Sequence, residues 1–249
     1  MVRTSRRKLQ WSLMGCVMFL AVQMQASTTS VTYTRVEEMT GWQTCGACGN
    51  SGGTGSVANY AMTRGLTSPT LDGSSSRFSI GGTVPYTNGY WYLRHQAPSR
   101  GLTYLAYDFY VYVPSGSQNA PQAIEFECQQ TVNAWVYNFA WQADYANNSW
   151  RIFNYVTRKW ESSGLALQRF APGTWHHITA EYHTNTSTHT VYHDALTIDG
   201  VRHVINKVHS AKYTGNWTNQ FTNAFQLDMN GSATDYHVYV DEMRVRMNY

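Results

Sequence analysis

The chain predicts an all-β fold, a two-sheet antiparallel β-sandwich, and three observations carry that prediction. Aromatic residues make up 14% of the chain against 13% for charged ones, with 18 Tyr and 9 Trp among many Ser, Thr, Asn and Gly. Rings suit half-buried pleated surfaces, and small polar residues suit the turns between them. No stretch of a dozen residues keeps a 3.6-residue apolar period free of β-branched and aromatic side chains, so helix is scarce. Short strand-like runs recur instead with no repeated unit, which favours a sandwich over a propeller or solenoid.

In chain order those runs are 76–80, 90–94, 103–113, 123–129, 134–144, 150–155, 176–183, 188–198, 202–207, 224–229 and 235–246. Turn signals separate them, among them Ser115-Gly116, Ala146-Asn147-Asn148-Ser149 and Ala171-Pro172-Gly173. Asp199-Gly200, between Leu196-Thr197-Ile198 and Val201-Arg202-His203, reads as a hairpin because the pair supplies the positive φ of a type I′ turn. The last run directs Val238, Val240, Met243 and Val245 inward, with a slip of register at Asp241-Glu242 that reads as a bulge.

The N-terminus reads as a signal peptide. Arg3, Arg6, Arg7 and Lys8 precede an apolar run at 13–22, and Met24-Gln25-Ala26 precedes a Ser/Thr stretch. That run is half the ~20 residues a membrane span needs, so the expectation is residues 1–26 as signal, 27–249 as one sandwich domain, and a secreted chain, extracellular or periplasmic. Cleavage after Ala26 removes four basic residues and no acidic ones, which leaves 14 Lys+Arg against 15 Asp+Glu. Near neutrality, the mature chain offers no basic face for nucleic acid or anionic membrane, and a monomer is expected.

Residues 40–56 are rich in glycine and read as a loop pinned by a Cys45–Cys48 disulfide, which leaves Cys128 as a buried free thiol. The Cys pair lacks the helix and βαβ context of a redox motif, and no further ligands stand at zinc spacing. His176 and His177 are adjacent on a strand and point to opposite faces. His189 and His193 would need a helix to share a metal. No Gly-x-Ser-x-Gly elbow and no phosphate loop is present. Four Asn-x-Ser/Thr triplets, at 147, 185, 216 and 230, mark surface loops.

The most informative segment is Ala123-Ile124-Glu125-Phe126-Glu127-Cys128-Gln129. Alternation places Ile124, Phe126 and Cys128 in the core and Glu125, Glu127 and Gln129 on the opposite face. Two carboxylates about 6.6 Å apart along a strand can lean to the ~5.5 Å of a retaining glycosidase pair. Asn138, Gln142 and Asp144 share one face of the next strand and are expected in the same groove. Trp135, Tyr137, Trp141, Tyr145 and Trp150 supply rings nearby, of which about two are expected in the cleft. Trp135 and Trp141 are taken as sugar contacts.

The same strand resembles the Glu-x-Asp-x-Glu strand of lichenase- and laminarinase-type glucanases, which have a concanavalin A-like jelly roll. By position, Glu125 matches the nucleophile and Glu127 the central Asp, but Gln129 falls where the acid/base belongs, and an amide cannot donate that proton. A wider resemblance runs through Met39-Thr40-Gly41-Trp42, Cys45, Cys48, Gly81-Gly82-Thr83, Pro85-Tyr86, Gln122 to Phe126, Lys159-Trp160, Trp175-His176-His177 and Leu196 to Val201. Over these the chain is similar to a group of secreted bacterial proteins with a lectin-like sandwich and no established activity. Members carry an acidic pair on the Glu125 strand and a cysteine pair near positions 145 and 167, where this chain has Tyr145 and Leu167.

Three functions follow as expectations. The first is a carbohydrate-binding jelly roll that takes a polysaccharide or oligosaccharide on its concave face. The second is a glycoside hydrolase or polysaccharide lyase in which Glu125 and Glu127 are catalytic, and the third a structural surface protein without a sugar site. No cofactor is required by any of them. A structural calcium is expected at Asp241 on the last strand, with Glu37 or Glu38 as oxygen partners.

Overall fold

Among the described residues, backbone hydrogen bonding runs mainly between strands, with turn and loop bonds closing the ends. The computed structural model describes residues 29–46, 59–96 and 100–249. In chain order the strands are β1 Ser30–Thr34, β2 Gln43–Gly46, β3 Asn59–Leu66, β4 Ser75–Gly81, β5 Asn88–His95, β6 Tyr104–Tyr112, β7 Pro121–Val132 and β8 Trp135–Asp144. There follow β9 Ser149–Asn154, β10 Lys159–Ala166, β11 Trp175–Asn185, β12 Thr190–Ile198, β13 Val201–Ser210, β14 Lys212–Tyr213, β15 Gln220–Met229 and β16 Tyr236–Asn248. A single 3₁₀ turn, Val36–Glu38, is the helix found among the described residues.

The strands form two antiparallel sheets of eight. One runs β13-β12-β11-β6-β16-β4-β3 with β1 also paired to β16. The other runs β10-β9-β8-β7-β15-β5-β2 with β14 also paired to β8. This is the predicted sandwich, of the jelly-roll kind, and the last strand lies near the middle of its sheet. All eleven strand-like runs of the sequence are strands.

Five strands escaped the sequence: β1, β2, β3, β10 and β14. β2, β3 and β10 are sheet edges, and β1 and β14 each pair on one side only. An edge strand buries little, so its sequence carries no alternating apolar signal to read. β2 lies inside the glycine-rich stretch expected to be loop. Residues 47–56 of that stretch, Cys48 among them, and the signal segment 1–26 lie outside the described residues. Among the described residues no helix is long and apolar enough to cross a membrane.

Local signals held where they had a mechanism. Asp199 and Gly200 have φ of 49° and 82° and close the β12–β13 hairpin with Ile198 opposite Val201. The β6–β16 register shifts between Asp241 and Arg244, with Glu242 at φ 50°, which is the expected bulge. Cys128 is buried and free.

The core between the sheets is a stack of rings. Phe126 of β7 packs at 5.0 Å on Phe109 of β6 and at 6.2 Å on Trp150 of β9. Phe225 of β15 meets Phe78 of β4 at 4.9 Å, and Phe78 meets Trp91 of β5 at 5.2 Å. Ring pairs of this kind add to the area they bury. Phe126→Ala would open a cavity at the centre of this stack, and chemical denaturation should show a loss of about 3–5 kcal/mol. A loss under ~1 kcal/mol would mean that the two sheets do not meet at Phe126.

Candidate functional site

The site forms on the outer face of the second sheet, and the register of its strands defines it. Glu125 lies opposite Gln142 of β8 and Gln226 of β15, Glu127 opposite Ala140 and Ala224, and Gln129 opposite Asn138 and Thr222. Continuing outward, Tyr92 of β5 lies opposite Ala224, and Phe153 of β9 lies opposite Trp160 of β10. Since Trp141 pairs with Ile152, Phe153 falls beside Ala140. A single line across the sheet therefore reads Tyr92, Ala224, Glu127, Ala140, Phe153, Trp160. Two alanines flank a carboxylate on the floor, and rings rise at both ends. Four strand spacings of ~4.8 Å put about 19 Å between Tyr92 and Phe153.

Two residues along the strands lies a polar line: Tyr90, Gln226, Glu125, Gln142, Arg151. Its groups are cross-linked. Glu125 accepts from Gln142 Nε2 at 2.6 Å and from Gln226 Nε2 at 2.8 Å, and Gln226 Nε2 also reaches Asp228 Oδ1 at 2.8 Å. Glu127 accepts from the Tyr90 hydroxyl and, at 3.3 Å, from Asn138 Nδ2. Tyr90, Glu125, Glu127, Ala140, Ala224 and Gln226 line a small recess at the centre.

Burial sets the electrostatics here. It raises the Glu125 carboxyl well above its ordinary range, and the neighbouring Asp228, with which it hydrogen-bonds, raises it further. Burial lifts Asp228 from 3.8 to about 6 against the hydrogen bonds from Glu125 and Gln226. The pair therefore holds its protons to higher pH than exposed carboxyls do. Glu127 is also raised by burial, with the hydrogen bonds from Tyr90 and Asn138 working the other way.

The expected residues divide cleanly. Glu125, Glu127, Gln129, Asn138 and Gln142 all lie on this face. Asp144 lies on it too, but its oxygens are taken by Arg151 at 3.1 Å and by the Asn147 backbone and side chain at 3.0 and 2.7 Å, so it staples the β8–β9 turn.

Trp141 is a correction. It is fully buried and packs on Trp150 and His193 between the sheets, because Gln142 takes the outer face and alternation sends its neighbour inward. Trp135 is a second correction: it has the inward parity of Trp141 and stacks on His189 at 3.7 Å at the end of the sandwich. Tyr137, Tyr145 and Trp150 are core as well, so none of the five expected rings reaches the groove. The rings that do are Tyr90, Tyr92, Phe153 and Trp160, with Tyr155 at the rim near Glu127, which raises its pKa after burial does. Pairing Glu127 with Ala140 through the two-residue Asn133-Ala134 turn would have revealed the parity. The φ values of 49° and 63° there are those of a type I′ turn, but Asn-Ala is a weak signal for one.

At the bulge of β16, Glu37 and Asp241 come together. Glu37 is fully buried, accepts from the Met243 backbone at 3.0 Å through Oε2, and leaves Oε1 buried without a partner. Burial, with the charges of Asp241 and Glu38, pushes its pKa to about 8 against two backbone hydrogen bonds. Asp241 accepts from Thr70 Oγ1, Leu71 N and Glu242 N at 2.9, 2.6 and 2.8 Å. Glu37 Oε1 is thus the one carboxyl oxygen of this pair without a hydrogen-bond partner. No group of three or more His, Cys, Asp or Glu arranged for a metal occurs among the described residues. His176 and His177 face apart, toward Asp199 and Asp108.

No family model and no curated protein matches the chain. Among solved structures it is similar to a carbohydrate-binding module of the β-sandwich superfamily, at 13% identity and a TM-score of 0.42 over 84% of this chain. The chain spans 58% of that structure's length. It is similar to the metal-free lectin I-B4 of Griffonia simplicifolia, at 11% identity, a TM-score of 0.47 and coverage of 88% and 99%. An alginate lyase variant in complex with alginate trisaccharide matches at 12%, with a TM-score of 0.49 and coverage of 82% and 97%. These likenesses are of fold alone.

The buried carboxyls give stability a pH dependence. Both Glu125 and Asp228 are raised in the folded chain, which therefore holds protons that the unfolded chain releases. Their contribution is complete below the ordinary carboxylate range and is lost as pH rises, for Asp228 between 3.8 and about 6. The unfolding temperature of Asp228→Asn should fall less steeply than that of the wild type across this window. An unchanged slope would show that Asp228 titrates as an exposed residue does.

Proposed function

We propose that this chain is a secreted carbohydrate-binding sandwich that holds a polysaccharide or oligosaccharide in the trough on the outer face of its second sheet. The observation that supports it is the line Tyr92, Ala224, Glu127, Ala140, Phe153, Trp160. Alanines keep the floor low enough for a pyranose ring, carboxylates and amides bind its hydroxyls, and rings at the ends receive its apolar faces.

Titration calorimetry against a panel of soluble glycans should find a binder, and Trp160→Ala and Tyr92→Ala should each weaken it about tenfold, the ~1.4 kcal/mol of a lost ring contact. Retained affinity in both variants would remove the trough from the proposal.

Hydrolysis is a second reading, favoured by the Glu125 carboxyl, held above its ordinary range by burial, beside Glu127. Gln129 cannot supply the acid, but Glu125 could, with Glu127 as the base or nucleophile. New reducing ends from the bound glycan, lost in Glu127→Gln, would establish it, and binding without product in either protein would exclude it.

Calcium belongs to the proposal as a structural ion held by Glu37 and Asp241. Calcium should raise the unfolding temperature by several degrees relative to chelator, and Glu37→Gln should abolish the rise. No shift in the wild type would remove the ion.

A further inference from the structure

The trough has an excess of hydrogen-bond acceptors, and that excess selects among sugars. The amide and hydroxyl groups at its centre each donate to a carboxyl. Tyr90 and Asn138 donate to Glu127, Gln142 donates to Glu125, and Gln226 donates to both Glu125 and Asp228. Acceptors are left over. Asn138 Oδ1 and Gln142 Oε1 are buried without a partner, on side chains each 5% exposed, and so is Asn88 Oδ1, on the residue opposite Asp228. The Asn138 amide is held in this orientation because the Glu127 carboxylate can only accept.

Charge runs the same way. Glu125, Glu127 and Asp228 put three carboxyls on this face, and burial makes each costly to ionise without a cation beside it. The nearest guanidinium, Arg151, is spent on Asp144 and on the Trp160 carbonyl at 2.7 Å. The other cations stand at the rims. Arg94 lies over Tyr92 at 5.2 Å, opposite Thr222 on β15, and Lys212 lies over Tyr155 at 5.6 Å.

A uronate would bring a further carboxylate among these carboxyls, and an acetamido carbonyl would add an acceptor where unpartnered acceptors already stand. A neutral hydroxyl brings one donor, whereas an ammonium brings three donors, no acceptor and the opposite charge. We propose that the trough is selective for a glycan bearing free amino groups, a de-N-acetylated hexosamine chain whose ammonium enters the recess between Glu125 and Glu127. This rests on the trough being the sugar site.

The test uses glucosamine hexamer, its fully N-acetylated form and cellohexaose, titrated calorimetrically into the purified chain at about 50 and 500 mM salt. The amine should bind at least about tenfold more tightly than cellohexaose at low salt, and the gap should narrow at high salt as screening grows. Glu127→Gln should reduce the ratio between the two ligands in the same direction. Amine affinity equal to or below that of cellohexaose would overturn the selectivity while leaving the trough a sugar site. A preference for amine unaffected by both salt and Glu127→Gln would overturn the placement of the ammonium. Failure of all three ligands, with binding of a uronate polymer instead, would overturn the inference outright. Failure of every glycan would remove the trough reading with it.

Discussion

The contact on which this structure turns is Phe126 between Phe109 of the facing sheet and Trp150 of its own. Side chains alternate along a strand, so burying Phe126 there leaves Glu125 and Glu127 no choice but the outer face. Cys128 and Ile124 follow Phe126 inward and fix the register over five residues. A slip by one would bury two carboxylates between the sheets and expose three apolar side chains. The packing that makes the sandwich thereby also aims the candidate site.

What the outer face then does with its carboxyls is unusual for a solvated sheet. A plain surface would spread its charges and leave them to water. Here Gln226 bridges Glu125 and Asp228, and Tyr90 and Asn138 clamp Glu127. Such an arrangement costs desolvation that a merely structural face has no reason to bear, and perturbed carboxyls gathered in a recess are a mark of function. Small floor residues and rings at either end turn that chemistry toward a ring-shaped, hydroxylated ligand.

Much of this was legible in the sequence. The eleven runs, the Asp199-Gly200 hairpin, the bulge at Glu242 and the two faces of β7 all follow from alternation and turn chemistry. Three of the four sheet edges were not legible, because β2, β3 and β10 bury too little to write a pattern. The carboxylates of the site were found and its rings were not, for a related reason. Trp135, Trp141 and Trp150 are large and near Glu125 in sequence, but proximity does not say which face a residue takes. Phe153 and Trp160 belong to the groove through a pairing two strands away, and Asp228 and Gln226 arrive from β15, about a hundred residues downstream. Only the strand order brings them together.

The most direct measurement is a crystal structure of the chain soaked with a glycan that binds it in solution. The sugar should lie across β15, β7 and β8, with rings against Tyr92 or Phe153 and Trp160 and a polar substituent in the recess by Glu127. Sugar found instead on the other sheet, over the row formed by Trp175, Tyr112 and Tyr239 with centroids 5.3 and 6.0 Å apart, would contradict the trough as the binding site.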